Sequence, residues 1–362
     1  MGAESTVRCL LEEAGVEIGG NNPWDVRVHN TSFYGTVLGR GSMGLGEAYM
    51  SRWWDCEDLP EFFNRILAAD LPARVWRTPD MLALAIVSRI ANLQSVSRAA
   101  MVAQRHYDLP DALFEAMLDQ TRGYTCGIWD GETMDLREAQ VAKYDRACRN
   151  VDLQPGDRFL DIGFGWAGLM AHAKSEYGAL PTGISVSEGQ TAWARERYRD
   201  MPMQFRIQDY RSIDGEFDKA ASIEMVEAVG RKNLRAYFRS VRGALVPGGK
   251  FVCQAIVDQK QANAVADPWV NRYIFPNGEL NTVPLLAEAS MGYFNTLRVE
   301  MFGQHYERTL LAWNRRFQAS RDALYRMLGD RFCRMWEYYL LSFAGAFRSG
   351  TISVGQFTYE AR

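Results

Sequence analysis

Phe159-Leu160-Asp161-Ile162-Gly163-Phe164-Gly165-Trp166-Ala167-Gly168 reads as a strand that runs into a glycine loop and then a helix. Phe159, Leu160 and Ile162 make a short apolar strand, Gly163 and Gly165 permit a tight turn free of side chains, and Leu169 and Met170 open an apolar helical face. Such a turn aims backbone N–H groups and a helix N-terminus at a ligand that carries a carboxylate or phosphate. Many nucleotide-binding folds share this glycine spacing, so the strands that follow decide between them.

A nicotinamide-binding unit closes its second strand with an acid about 20 residues on, where it grips the ribose. Here the second strand, Pro181 to Ser187, has no acid at its tip, and Ser185 stands near its end. The first candidates for a ribose are Glu188 and Gln190 on the next helix. A third strand ends at Ile207-Gln208-Asp209-Tyr210, which supplies an amide, a carboxylate and a ring for adenine. A fourth, Ala220 to Ile223, leads into Glu224-Met225-Val226-Glu227. This order of strand tips suits S-adenosylmethionine better than a dinucleotide, with Gly163 and Gly165 at its methionine end.

The 362 residues suffice for one large domain and a smaller one, and shares of 47% hydrophobic and 23% charged residues are those of a globular protein. A net charge of −3 argues against bulk nucleic-acid binding. Arg231-Lys232 and Arg315-Arg316 offer local basic patches for phospholipid headgroups, or solvated helix faces. The cysteines are scattered without a C-x-x-C pair and only 4 histidines exist, so no metal site is expected. The best apolar run, Met81 to Val87, is too short to span a bilayer, and no signal peptide is visible. The expected compartment is reducing and cytoplasmic.

The chain is expected to divide near residue 95. Residues 1–95 read as a smaller, mainly helical module: a helix at Val7–Ala14, a strand-like Asp25–Val28, a flexible turn-rich stretch marked by Gly39, Gly41, Gly44 and Gly46, core tryptophans at Trp53-Trp54, and a helix at Met81–Ala91. Asn92–Ser97 reads as the linker. Residues 96–362 hold the alternating strands and helices of a doubly wound parallel sheet, with a fifth strand at Phe251–Cys253. Asp267–Leu280 is aromatic and turn-rich, Thr309–Leu328 and Phe332–Phe347 are helical, and Thr351–Tyr359 reads as a last antiparallel strand.

Over nearly its whole length the chain resembles the cyclopropane-fatty-acyl-phospholipid synthases. The segments that carry the likeness include His106-Tyr107-Asp108-Leu109, Tyr124-Thr125-Cys126-Gly127-Ile128-Trp129, Asp161-Ile162-Gly163-Phe164-Gly165-Trp166, Gln208-Asp209-Tyr210-Arg211, Glu227-Ala228-Val229-Gly230, Asp267-Pro268-Trp269, Tyr273–Gly278 and Ala344–Arg348. Asn22-Pro23-Trp24-Asp25 and Gly44–Met50 match the family's accessory domain. The resemblance implies a Rossmann-like class I methyltransferase α/β domain. It also implies an enzyme that moves a methylene carbon from S-adenosylmethionine onto the double bond of an unsaturated acyl chain. Tyr124, Thr125, Asp161, Gly163, Gly165, Ser185, Gln190, Gln208 and Asp209 would hold the cofactor. The lipid substrate implies peripheral contact with the inner membrane surface, and residues 1–95 would serve lipid access or homodimer pairing.

In this family the alkene attacks the sulfonium methyl, a bound bicarbonate removes a proton from the new methyl group, and the ring closes. The matching positions in this chain are Cys126, Glu227, Gln254, Ile256 and Tyr306. Gln254 departs from the family, which has histidine there; an amide donates to an oxyanion but carries no proton away. Glu224 stands in place of the usual glycine, Ala228 in place of histidine, and Phe164 in place of cysteine. Leu109-Pro110-Asp111-Ala112 replaces a Gly-Asn-Asp loop. Glu224 is either a salt-bridge partner or a carboxylate that takes over part of the bicarbonate's work. These departures leave a C-methyltransferase, with a methyl-branched or methylene product, as the alternative. His106 and Tyr107 are expected to close the cofactor pocket.

Overall fold

The computed structural model describes residues 2–71, 109–132, 134–260 and 267–362. The chain forms two compact units. The first draws on Met1–Asn92, Gln259–Pro276 and Tyr306–Ser353; the second on Leu93–Asp258, Asn277–His305 and Val354–Arg362. The division expected near residue 95 cuts the chain once, whereas the first unit also takes in two later segments. His106, Tyr107, the Met81–Ala91 helix and the Asn92–Ser97 linker lie outside the described residues.

In the first unit, helices Ala3–Glu13, Ser32–Met50 and Leu59–Ala68 accompany a two-residue antiparallel pair, β1 (Arg27–Val28) and β2 (Trp54–Asp55). The glycines at 39–46 do not make a loop, contrary to expectation. They lie within Ser32–Met50, which kinks at Gly41 (φ 54°, ψ −131°). Small residues there serve close packing: a Cβ on Gly46 would come within 2.4 Å of the Trp269 ring. Trp54 is core, fully buried against Phe33, Tyr49 and Phe62, with its indole N–H donating to the Leu45 carbonyl at 3.0 Å. Helix Asp330–Arg348 packs on Leu59–Ala68, and a Cβ on Gly345 would lie 2.5 Å from the Phe63 Cβ. The expected Thr309–Leu328 helix is broken into Gly303–Ala319 and Arg321–Leu328.

The second unit is an α/β layer structure around a seven-stranded sheet. Its strands are β3 (Arg158–Ile162), β4 (Leu180–Ser185), β5 (Gln204–Ile207), β6 (Phe217–Ile223), β7 (Leu245–Asp258), β8 (Phe294–Met301) and β9 (Ile352–Ala361), in the order β5-β4-β3-β6-β7-β9-β8. The first five run parallel, and β8 and β9 pair antiparallel at the far edge. The sheet is therefore mixed, and β8 is a strand that the sequence pattern does not announce.

Alternating strand residues cover both faces, as the period of two requires. Leu160, Ala220, Phe251, Cys253 and Ala255 pack with helix Leu234–Ala244 on one side. Phe159, Ala221 and Val252 pack with helices Leu136–Asn150 and Gly168–Tyr177 on the other. An Asp135–Glu138 capping box starts the 136–150 helix. The parallel strands end together at one edge of the sheet, and ligands of doubly wound sheets bind beyond such carboxyl ends.

Candidate active site

The turn after β3 has the geometry its glycines call for. Gly163 takes φ +82° and donates its N–H to the Ile184 carbonyl at 2.9 Å; a Cβ there would come within 2.6 Å of the Met225 side chain. Gly165 takes φ +56°, and no atom beyond its own and its two chain neighbours' lies within 4 Å of the place its Cβ would fill. The loop thus leaves open space at Gly165. Across it, Ser185 closes β4 and accepts the Ser187 N–H at 3.1 Å, while the Ser187 hydroxyl caps the next helix at the Gln190 N–H. Gln190 is buried, and its side-chain Nε2 is a covered donor with no protein partner. An open cradle and an orphaned donor at adjacent strand tips fit a ligand with a carboxylate and ribose hydroxyls.

The remaining predicted cofactor residues are each held by other neighbours. The Gln208 amide donates to the Ser212 carbonyl and to Asp214, and Asp209 accepts the Arg211 N–H and pairs with its guanidinium at 2.9 Å. The Tyr124 ring meets Phe114 edge to face. Asp161 is almost wholly buried at the end of β3, and burial pushes its carboxyl up to about 7 against the opposing pull of Lys143.

Lys143 is absent from the residues that the sequence singles out. It is fully buried, and its ammonium donates to the Thr125 hydroxyl at 2.7 Å and to the Gln140 side-chain oxygen. Gln140 in turn donates to the Thr125 carbonyl at 2.8 Å. Burial pushes Lys143 down to about 8, opposed by Glu224, Asp119, Cys126 and Asp161. This pair fastens the Tyr124–Cys126 segment to the 136–150 helix. The sequence does hold a signal: Leu136, Ala139-Gln140, Lys143-Tyr144 and Ala147-Cys148 form one stripe at helical spacing, which puts the lysine on the buried face.

Two of the expected catalytic positions, Cys126 and Gln254, converge on Glu224. The chain leaves β6 with Glu224 at φ +53°, a left-handed conformation that glycine adopts freely and other residues rarely. Its N–H donates to the Gln254 carbonyl at 2.8 Å. Its Oε1 accepts the Cys126 backbone N–H at 2.9 Å and the Gln254 side-chain Nε2 at 2.6 Å. Cys126 contributes its backbone to this carboxylate, and its thiol donates to the Gly127 carbonyl. The Trp129 N–H donates to His305 Nδ1 at 2.8 Å, which fixes the end of the same segment.

Glu227 accepts the Ile256 N–H through Oε1 at 2.6 Å, and its Oε2 is covered with no partner. Burial first, and then the nearby Glu224, push its carboxyl up to about 8; the Ile256 N–H pulls the other way. Burial thus favours the protonated form of Glu227 at neutral pH, beside a Glu224 that accepts two N–H groups. Tyr306 falls in the first unit, where its ring stacks on Phe347 at 4.4 Å. Its catalytic role rests on the resemblance.

The raised Glu227 carboxyl sets a stability expectation. Between its unfolded value of 4.5 and about 8, the unfolded chain releases this proton while the folded chain keeps it. Stability should then fall as pH rises across that window; above about 8 the depressed Lys143 acts in the opposite direction. Glu227→Gln should flatten this fall in thermal midpoints from pH 5 to 8.5; Asp161 leaves a smaller slope up to about 7. A slope unchanged in the variant would contradict a buried proton on Glu227.

The profile of the family described as mycolic acid cyclopropane synthetase matches residues 94–357. The cyclopropane-fatty-acyl-phospholipid synthase of Escherichia coli (strain K12) is 40% identical over 352 residues, covering 97% of this chain and 91% of that one. The tuberculostearic acid methyltransferase UfaA1 of Mycobacterium tuberculosis is 32% identical, covering 91% of this chain and 82% of its own. A crystal structure of the mycolic acid cyclopropane synthase CmaA1 complexed with SAH and CTAB superposes with a TM-score of 0.68 at 27% identity, over 72% of this chain and 98% of that one. The second unit is thus a class I S-adenosylmethionine methyltransferase fold, and this chain belongs to the cyclopropane synthase family as an S-adenosylmethionine-dependent methyltransferase of the cyclopropane-fatty-acyl-phospholipid synthase type.

Proposed function

We propose that this enzyme builds a cyclopropane on the cis double bond of an unsaturated acyl chain in a phospholipid, and that Glu224 is the base that completes the ring. One observation carries the second part: the Cys126 N–H and the Gln254 amide, two donors placed to hold an anion, converge on Oε1 of Glu224. The resemblance gives this place to a bound bicarbonate. A carboxylate tethered at a strained backbone position does the same chemistry without an ion to recruit.

S-adenosylmethionine supplies a methyl group on a positively charged sulfur. The alkene pair bonds to that carbon, the carbon–sulfur pair leaves with the sulfur, and a cation remains on the acyl chain. Glu224 takes a proton from the new methyl group, and the freed C–H pair closes the ring on the cation. Once the bound acyl chain has displaced water from the site, the charge of Glu224 acts more strongly. Protonated Glu227 is no base; it holds the Ile256 backbone and keeps the second negative charge out of the pocket.

The lipid substrate places the working enzyme at a membrane surface, as a peripheral protein of the cytoplasmic face. No helix of the described residues is long and apolar enough to cross a membrane. The first unit is proposed to serve lipid access or pairing of two copies.

The second reading is a C-methyltransferase that gives a methyl-branched or methylene product. It is favoured by the commitment of both ends of the Gln254 amide, which leaves no proton carrier where the family has histidine. The purified enzyme with vesicles of a cis-unsaturated phospholipid decides between them. Mass spectrometry of the released acyl chains should show a ring and a lost alkene; a branched chain would establish the second reading.

A further inference from the structure

Behind Gln254 lies a row of amides whose direction is fixed. Gln254 is fully buried, and its Oε1 accepts Gln356 Nε2 at 2.9 Å. Gln356, on β9, is also fully buried, and its own Oε1 accepts Asn150 Nδ2 at 2.8 Å. Asn150 Nδ2 also donates to Glu300 Oε2 at 3.2 Å, and Asn150 Oδ1 accepts from Arg298 at 3.4 Å. Arg146 pairs with the other Glu300 oxygen at 2.9 Å.

A carboxylate only accepts and a guanidinium only donates. Glu300 and Arg298 therefore orient Asn150 with its NH2 toward Gln356. Each following amide must then present oxygen to the amide before it and nitrogen to the one after. The last nitrogen in the row is the one on Glu224 Oε1.

We propose that Asn150 and Gln356 are positioning residues for the base: with Gln254 they form a directional chain of three amides, anchored at Glu300, that holds Glu224 as a hydrogen-bond acceptor. The proposal rests on Glu224 being the base. An amide free to turn could also present its oxygen to Glu224, which favours the protonated acid, and that form cannot take a proton from the methyl group. The buried row removes that freedom, and linked amide dipoles reinforce one another in a low-dielectric interior. Among the described residues, Lys143 from the 136–150 helix and Glu227 from the turn after β6 are titratable groups that bear on Glu224; neither belongs to the row.

The test is the pH dependence of ring formation in the wild type, Gln356→Glu, Asn150→Leu and Glu224→Gln. Gln356→Glu keeps the shape of the side chain and, ionised opposite the Asn150 and Gln254 amides, offers only acceptors, so Gln254 must turn its nitrogen away from Glu224. The acid limb of the profile should move up by about one pH unit or more, because a donor to the charged form has been lost. The KM for S-adenosylmethionine should stay within about twofold, since ground-state cofactor binding is untouched. Asn150→Leu, at the half-buried end of the row, should move the limb the same way by less and decides the matter if Gln356→Glu does not fold. Acid limbs that stay at the wild-type pH, while Glu224→Gln abolishes ring formation, would overturn the amide chain alone. A Glu224→Gln enzyme with the wild-type rate would overturn the base, and the chain with it.

Discussion

Glu224→Gln is expected to lower ring formation by about a hundred- to ten-thousandfold, the range for loss of a positioned general base. Glutamine keeps the size of the side chain and an oxygen for the Cys126 N–H, so the pocket should hold its shape. What it cannot do is accept a proton. The Gln254 amide would also face an amide in place of a charge. Affinity for S-adenosylmethionine, read by calorimetry, should change little, because the glycine loop and Gln190 lie on other strand tips. A rate within about threefold of wild type would fall far outside that range and assign the proton to another group.

Gly165→Val should abolish cofactor binding. At φ +56° an L side chain costs about 1–2 kcal/mol of folding stability in backbone strain, in the free and the bound enzyme alike. The side chain would fill the space around the Gly165 Cβ position, which no atom beyond the residue's own and its two chain neighbours' occupies within 4 Å and which the bound ligand needs. The variant should fold, because that side chain points at no neighbour. Calorimetry should then show affinity reduced by at least about a hundredfold, the equivalent of two lost hydrogen bonds to a charged group. Unchanged affinity in a folded variant would move the ligand away from this loop.

The part of the site that reads from sequence is the part made by short-range geometry. Gly163, Gly165 and the apolar run before them dictate a strand, a turn and a helix within a dozen residues, and the strands at 180–185, 217–223 and 352–361 overlap segments that read as strands in the sequence. The glycine-rich 39–46 stretch misleads because glycine's low helix propensity outweighs, in sequence alone, the demand for close packing that Trp269 imposes from a distant segment. Strand β8 carries Leu297, Val299 and Met301 on an exposed face, so its alternation marks no buried side and gives no firm register.

The contacts that define the chemistry are farther apart still. Glu224 meets the Cys126 backbone across 98 positions, and Gln254 meets Gln356 across 102. Sequence shows that Glu224 and Gln254 both depart from the resembled family; only the fold shows that each departure answers the other. A carboxylate brought in at one position needs a fixed donor opposite, and an amide supplies it where a histidine would bring a second titration into the pocket.

The most direct test of a resident base is ring formation by the wild-type enzyme in buffer stripped of carbon dioxide and bicarbonate, followed with and without added bicarbonate on vesicles of a cis-unsaturated phospholipid. If Glu224 is the base, the stripped enzyme runs at its full rate and added bicarbonate changes nothing. A rate that collapses on stripping and returns with bicarbonate would contradict this and make a bound bicarbonate, rather than Glu224, the group that takes the proton.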